Sequence, residues 1–250
     1  MPKDKIRLQL IGTGDAFSSG GRNQTSFHVT YSGYQFLIDC GATSLTALKH
    51  AEISPSEIDA IIISHFHGDH YGGLPFVFID LGYNQSRTKD LTIVGPTGVK
   101  DRVLTALEIF YPGTNLDDFN YQTQFMEYKE GEVLALADLS IEAFQVIHAP
   151  ESNPHGFKIT LNGKILAFSG DTGWTDKIFP IAENADLFIC ECNFYDTEFP
   201  FHLNYHQIMK NLKGFNCKRI ILNHLGKEML ERIEDLELEC AYDGQIIYID

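Results

Sequence analysis

Three histidines and an aspartate stand within six residues, His65-Phe66-His67-Gly68-Asp69-His70. Protonated, the imidazoles would repel one another. Neutral, they and the carboxylate form a cluster of nitrogen and oxygen donors that suits zinc, iron or manganese. Lone surface histidines are common, but this spacing is not. The β-branched run Ala60-Ile61-Ile62-Ile63-Ser64 that precedes the cluster predicts a buried strand, and Gly68 lets the chain turn sharply. The donors are therefore expected on a strand-to-helix loop at the carboxyl edge of a sheet, where open α/β sheets place their sites.

Ligands this close in sequence need distant partners to complete a coordination shell. Three candidates close apolar runs: His148 after Ile141–Ile147, Asp171 after Ile165–Gly170, and His224 after Ile220–Asn223. A polar residue at one such position is an ordinary loop residue. Three of them make sense together if those strands end at one edge beside His65–His70. His28, inside a strand, and His50, at a helix end, are expected to be structural.

The elements that must position these residues follow from periodicity. Strands are expected over Ile6–Ile11, Thr25–Tyr31, Gln35–Asp39, Ala60–Ser64, Leu91–Pro96, Leu139–His148, Gly156–Leu161, Lys164–Ser169, Leu187–Cys192, Arg219–Asn223 and Gln245–Ile249. Asn162-Gly163 is a two-residue hairpin turn. Helices are expected over Thr43–His50, from Ser54-Pro55, over Gly98–Phe110, Tyr205–Lys213 and Lys227–Leu236. Asn115–Gly131 is polar and aromatic without a clear period. Gly12-Thr13-Gly14 lacks the third glycine of a dinucleotide-binding loop. The similar rhythm of the two halves predicts two sheet-plus-helix layers packed face to face.

The 250 residues are 44% hydrophobic and 21% charged, enough for a substantial core, and carry a net charge of −15. That field repels polyanions, and no cluster of Lys and Arg offsets it, so binding of extended nucleic acid is disfavoured. The cysteines are Cys40, Cys190, Cys192, Cys217 and Cys240. They form no CxxC pair and are expected as reduced thiols. Met1–Lys5 carries no leader pattern and no stretch reaches membrane-span length, which points to the cytoplasm.

The set His65-x-His67-x-Asp69-His70, His148, Ser169-Gly170-Asp171-Thr172 and His224 resembles the metallo-β-lactamase superfamily over nearly the whole chain, including the closing Asp243-Gly244. The resemblance implies an α/β fold, a four-layer αββα sandwich, as a single domain over residues 1–250. It also implies a dinuclear centre at the edge of the two sheets. His65, His67 and His148 would hold one divalent metal, Asp69, His70 and His224 the other, and Asp171 would bridge them. Zinc is the first expectation, with manganese or iron as alternatives.

Within the superfamily the chain is most similar to the phosphodiesterase branch that includes ribonuclease Z and small cyclic-phosphate and phosphonate-pathway phosphodiesterases. The similarity rests on Leu10–Gly14, Arg22-Asn23-Gln24-Thr25-Ser26, His148-Ala149-Pro150, Phe168–Thr172 and Phe201-His202-Leu203-Asn204-Tyr205. Ribonuclease Z carries a tRNA-gripping insertion, commonly between the third histidine and the bridging aspartate. Here that interval reads as a plain hairpin. Where ribonuclease Z has H-E-A-T, this chain has Cys190-Glu191-Cys192-Asn193, and only the Glu matches. After the last ligand, Asn223-His224-Leu225-Gly226 lacks the S-x-R-Y continuation. Ala149-Pro150-Glu151 departs from the G-H-T-x-G of lactonases.

The expected function is hydrolysis of a small phosphodiester or cyclic nucleotide by hydroxide shared between two metals. By the resemblance Asp69 binds metal and orients the nucleophile, and His202 is the candidate general acid, with His155 a weaker one. A small-molecule phosphodiester is the expected partner, with neither extended nucleic acid nor membrane, and a homodimer stays open. Phe76, Phe78, Tyr111, Trp174, Tyr195 and Phe199 flank the ligands, and two or three of them would line a pocket suited to a flat group. The alternatives are an ester or lactone hydrolase on the same centre, a tRNA 3′-processing ribonuclease Z-like nuclease, and an iron-containing redox member.

Overall fold

The computed structural model describes residues 5–85 and 87–249, so most of the amino-terminal segment Met1–Lys5 lies outside the described residues. Short apolar runs form β1 (Ile6–Gly12), β2 (Ser26–Tyr31), β3 (Tyr34–Ile38), β4 (Ala60–Ile62), β5 (Leu91–Gly95) and β6 (Thr123–Glu127). The second half forms β7 (Val133–Leu136), β8 (Leu139–Gln145), β9 (His155–Leu161), β10 (Lys164–Phe168), β11 (Leu187–Glu191), β12 (Ile220–Asn223) and β13 (Glu239–Cys240). β14 (Gln245–Ile249) returns to pair with β1.

Two seven-stranded sheets result, ordered β14-β1-β2-β3-β4-β5-β6 and β13-β12-β11-β10-β9-β8-β7. Each is antiparallel at one side and parallel at the other, the parallel strands being β3 to β6 and β10 to β13. This is the two-layered rhythm that the sequence predicts.

Alternation of side chains explains the layers. Phe36 and Ile38 of β3 and Ile62 of β4 face inward with Leu8, Phe27 and Val94. There they meet Ile141, Phe157, Phe168, Ile189 and Ile221 of the second sheet. Leu37, Ile61 and Ile93 point outward, against Leu48 of α1 (Ser44–His50), Val77 of α3 (Leu74–Ile79) and Leu107 of α4 (Val99–Phe110). α2 (Gly68–Tyr71) lies between the first two of these helices in the chain. On the far side Phe188 and Leu222 pack on Ile178 and Ile181 of α5 (Ile178–Ala182), Ile208 of α6 (Tyr205–Asn211) and Met229 of α7 (Lys227–Leu230). Strands buried on both faces read as continuous apolar runs, which is why β4, β5, β11 and β12 were visible in the sequence. The architecture is an αββα sandwich.

Several elements differ from expectation. The helix expected over Lys227–Leu236 stops after one turn. Arg232 leaves helical dihedrals (φ −122°) and sets its guanidinium over the Tyr195 ring, 4.6 Å from the centroid. Ser54-Pro55 opens only a three-residue 3-10 turn. β6, β7 and β13 went unseen because edge strands keep one face wet and lack a long apolar run. α5 went unseen because Pro180 interrupts its pattern, although proline is tolerated in a first turn. The cysteines are all free thiols. Among the described residues no helix is long and apolar enough to cross a membrane.

The sheets hold each other most visibly at Phe168, whose ring meets Phe27 edge-on at 5.3 Å and Phe157 at 5.7 Å. Phe168→Ala should cost about 3–5 kcal/mol of unfolding free energy, read by equilibrium denaturation. A loss below about 1 kcal/mol would show that the seam between the sheets repacks freely.

Candidate metal centre

The chemistry-bearing residues gather where the carboxyl ends of both sheets meet. β4 runs into the His65–His70 loop, whose last residues begin α2. His224 follows β12 directly and takes a left-handed backbone (φ 58°), which is uncommon for a non-glycine residue. His148 and Asp171 come later than expected. β8 ends at Gln145 and β10 at Phe168, so both residues sit three positions out, in loops. Backbone hydrogen bonds stitch these loops together: His155 N to Ser64 O, Phe66 N to Ser152 O, Gly173 N to Ile147 O, and Cys192 N to Asn223 O. Gly170, at φ 60°, must be glycine, because a Cβ there would lie 2.4 Å from the His155 carbonyl.

Two donor sets result. His65, His67 and His148 bring their ligand atoms within 4.8 Å of one another, and so do Asp69, His70, Asp171 and His224. Asp171 lies between the sets, its Oδ2 3.8 Å from His65 Nε2, 3.2 Å from His70 Nε2 and 3.3 Å from His224 Nε2. Asp69 Oδ2 is 3.3 Å from His70 Nε2 and 4.0 Å from His224 Nε2. The seven residues that the sequence singled out thus come together in one cluster.

Four imidazoles are fixed from outside. His70 Nδ1 donates to Asp39 at 2.6 Å. The Ser64 hydroxyl donates to Asp39 and so accepts from His65 Nδ1 at 3.0 Å. His148 Nδ1 donates to the Phe201 carbonyl at 2.8 Å, and His224 Nδ1 lies 3.4 Å from the Thr25 hydroxyl. Tying one ring nitrogen to the scaffold sets the tautomer and aims the other inward, the usual arrangement behind a metal-binding histidine. His67 Nδ1 and His148 Nε2 face each other at 2.9 Å.

The inward atoms are the test of whether a cation fits. His65 Nε2, His70 Nε2, Asp69 Oδ2 and Asp171 Oδ1 are all buried without a hydrogen-bond partner. Orphaned buried polar atoms are costly, and here four of them converge on one place. Protein charges answer one another only in part. Burial would raise the Asp171 carboxyl, but His224 and His70 hold it well below its usual range. Asp69 is likewise drawn down to about 2: burial opposes the shift and His70 drives it. Burial would lower His70, yet Asp171, Asp69 and Asp39 raise it well above the ordinary imidazole range. Burial beside His70 pushes His65 well below that range. Mixed imidazole and carboxylate donors suit divalent zinc, manganese or iron.

His202 stands at the rim of this cluster. Its ring stacks on His224 (5.4 Å, 14°) and meets His148 edge-on at 4.9 Å. Its Nδ1 pairs with Glu191 at 2.9 Å. Glu191 is fully buried and accepts from the Thr172, Asn193 and Leu203 amides. Burial would lower His202, but the Glu191 carboxylate raises it to about 9. His155, the weaker candidate acid, is buried elsewhere. Its Nδ1 bonds the Asn153 carbonyl, its ring packs on Tyr128, and it belongs to neither donor set. His28 is buried in the first sheet against Gln35.

Sequence reasoning missed the supports. Asp39 and Glu191 are carboxylates closing the apolar runs Phe36–Ile38 and Leu187–Cys190, and a buried charge in that position is the signal that could have found them. The Arg22-Asn23 loop and Asp243 prove to be one knot: Asp243 accepts from the Thr13 and Asn23 amides and the Thr13 hydroxyl, and Arg22 bonds Thr13. Of the flanking aromatics, Phe78 is core, whereas Phe199 is 43% exposed next to His202.

Known proteins agree with this fold. The family model described as Anti-Pycsar protein Apyc1 matches residues 6–245. A ribonuclease Z of Agathobacter rectalis is 35% identical, with 88% of each chain covered. That alignment runs to 273 positions, so the relative carries stretches that this chain lacks. Among solved structures, the metallo-β-lactamase fold protein YhfI of Bacillus subtilis superposes with a TM-score of 0.79 at 21% identity, covering 98% of this chain and 100% of that one. The short form of human tRNase Z (ELAC1) gives 0.78 at 21% identity, covering 98% and 99%. At those identities the structures speak for the fold, which is the metallo-β-lactamase fold. The family match over most of the chain and the ribonuclease Z relative go further: the chain belongs to the Anti-Pycsar protein Apyc1 family, a metal-dependent hydrolase of the metallo-β-lactamase superfamily akin to ribonuclease Z.

Proposed function

We propose that the protein is a dinuclear phosphodiesterase that hydrolyses a small phosphodiester, with cyclic nucleotides the favoured class. The observation that carries this reading is the pair of donor sets with Asp171 between them, and His202 poised at their rim on a buried Glu191. His65, His67 and His148 would hold one divalent ion, Asp69, His70 and His224 the other, and Asp171 both. Zinc suits these donors best. Bound there, two such ions lower the pKa of a shared water and withdraw charge from a phosphoryl oxygen, leaving a local field of about +2 that accepts one phosphate in an acidic protein.

The chain's own residues do the rest. Asp69 is buried, keeps its carboxylate ionised and orients the attacking water. As the water oxygen bonds to phosphorus, the bond from phosphorus to the leaving oxygen breaks. His202 Nε2, opposite the nitrogen held by Glu191, gives that oxygen its proton. Glu191 keeps His202 protonated and fixes its ring.

Ribonuclease Z relatives favour a second reading, processing of a tRNA end. Two features support the small substrate instead. The His148–Asp171 interval holds a 3-10 turn at Pro150–Ser152 and the β9–β10 hairpin, with Asn162 and Gly163 at its turn, and the chain carries −15. Free thiols on all five cysteines agree with a cytoplasmic location.

Metal-loaded protein should cleave bis(p-nitrophenyl) phosphate and leave a tRNA precursor intact. Asp69→Ala should lose at least about 100-fold in kcat with its circular dichroism unchanged. Cleavage of lactones but of no phosphodiester would sink the assignment. A pH profile adds a second check. His202 acts when protonated, so the rate should fall as pH rises through about 9. Glu191→Gln removes the carboxylate that raises His202, and the alkaline limb should then move to lower pH. An unmoved limb would remove His202 from the mechanism.

A further inference from the structure

The segment between β11 and α6 does more than carry His202. Residues Asp196 to Pro200 are exposed, yet the segment is gripped on several sides. Glu228 accepts from the Tyr195 and Thr197 amides and from the Thr197 hydroxyl. Asn204 donates to the Thr197 carbonyl at 3.2 Å. Bridges join Phe194 to Asn204 and Phe199 to His202. Gly173 packs so closely that a Cβ would lie 2.0 Å from the Pro200 carbonyl. A loop tied down in this way holds whatever it displays in one place.

What it displays is a phenylalanine. Phe199 is 43% exposed, and its ring lies nearly parallel to His202, with centroids 5.9 Å apart and 21° between the planes. His202 is itself stacked on His224. His202 is therefore near-parallel both to a histidine of the metal-donor cluster and to the Phe199 ring, and Phe199 is partly exposed to solvent. Phe194 and Phe201 pack against Phe199 at 5.8 and 6.0 Å and hold the ring upright. The part of a large apolar ring left in water at the edge of a polar site adds no packing to the fold. It gains a great deal from a flat partner, because aromatic faces stack on nucleobases with little regard to base identity.

The position on the leaving-group side matters. On the phosphodiesterase reading, His202 protonates the oxygen that departs. In a cyclic nucleotide that oxygen belongs to the ribose that carries the base, and Phe199 is an exposed aromatic ring beside His202. We propose that Phe199 is the platform on which the nucleobase of the substrate stacks, and so the residue that sets the site's preference for a base. This inference rests on the phosphodiesterase reading for the side from which the base arrives. Phe199 acts by binding, and no proton or bond passes through it.

The test is calorimetric titration of the metal-loaded protein with adenosine 5′-monophosphate and with ribose 5-phosphate, two product-like ligands that differ by the base. The wild type should bind the nucleotide at least about 5-fold more tightly. Phe199→Ala should weaken the nucleotide by about 5- to 150-fold and leave ribose 5-phosphate within about 2-fold, whereas Phe199→Tyr should keep the preference. Equal affinity for the two ligands, an equal loss of both in Phe199→Ala, or no binding of the nucleotide overturns the proposal. Turnover of bis(p-nitrophenyl) phosphate by the same preparation keeps the two failures apart. Turnover without a base preference removes Phe199's role alone. A Phe199-dependent preference without turnover of any phosphodiester removes the phosphodiesterase reading.

Discussion

The constraint on which the rest of the structure depends is a dry convergence of charge-seeking atoms. His65 Nε2, His70 Nε2, Asp69 Oδ2 and Asp171 Oδ1 are buried without a hydrogen-bond partner, and ion pairs at 3.2–3.3 Å between His70 and the two carboxylates answer them only in part. Each orphaned polar group of this kind costs about 1–3 kcal/mol. A fold tolerates several together only where a cation answers them, or where surplus stability elsewhere offsets the penalty. Asp39 shows how deliberate the arrangement is. Fully buried and itself left-handed (φ 58°), it fixes His70 directly and His65 through the Ser64 hydroxyl. Burial raises its carboxyl above the usual range, and the neighbouring His70 and Ser64 offset part of that rise.

The sandwich supplies the surplus and the geometry. Its inter-sheet core is closed by large side chains, Phe27, Phe36, Phe157 and Phe168 among them, all essentially inaccessible to solvent. Parallel strands deliver their carboxyl ends to a common edge, so a short loop from β4 and single residues following β8, β10 and β12 can meet without long connections. The backbone hydrogen bonds between those loops then set the spacing. Close approaches do the same: a Cβ on Gly73 would lie 2.3 Å from the Gly41 carbonyl, which leaves no room for another residue behind α2.

The seven donors were legible in the sequence because each is a chemically unusual residue beside an apolar run, and the His65–His70 spacing is dense enough to stand alone. What surrounds them was harder to see. Asp39 and Glu191 look like ordinary strand-end acids until the topology brings His70 and His202 to them. The Phe201 carbonyl that fixes His148 is backbone and leaves no mark on side-chain type. The strand expected up to His148 ends three residues earlier, at Gln145, because apolar periodicity runs past the last pairing residue. Edge strands β6 and β7 were missed for the opposite reason, a wet face that breaks the pattern. The choice of His202 over His155 needed geometry, since both are single histidines in loop-like sequence.

One measurement bears most directly on the account: the number of divalent ions bound per chain, by elemental analysis of the purified protein after equilibration with zinc and removal of excess. Two per chain is the expected result. Asp39→Asn should weaken their retention by about 10- to 100-fold without unfolding the protein, because it unties His70 and His65 from the scaffold. A chain that binds one ion or none, or retains both equally well without Asp39, would contradict a two-metal centre held in this way.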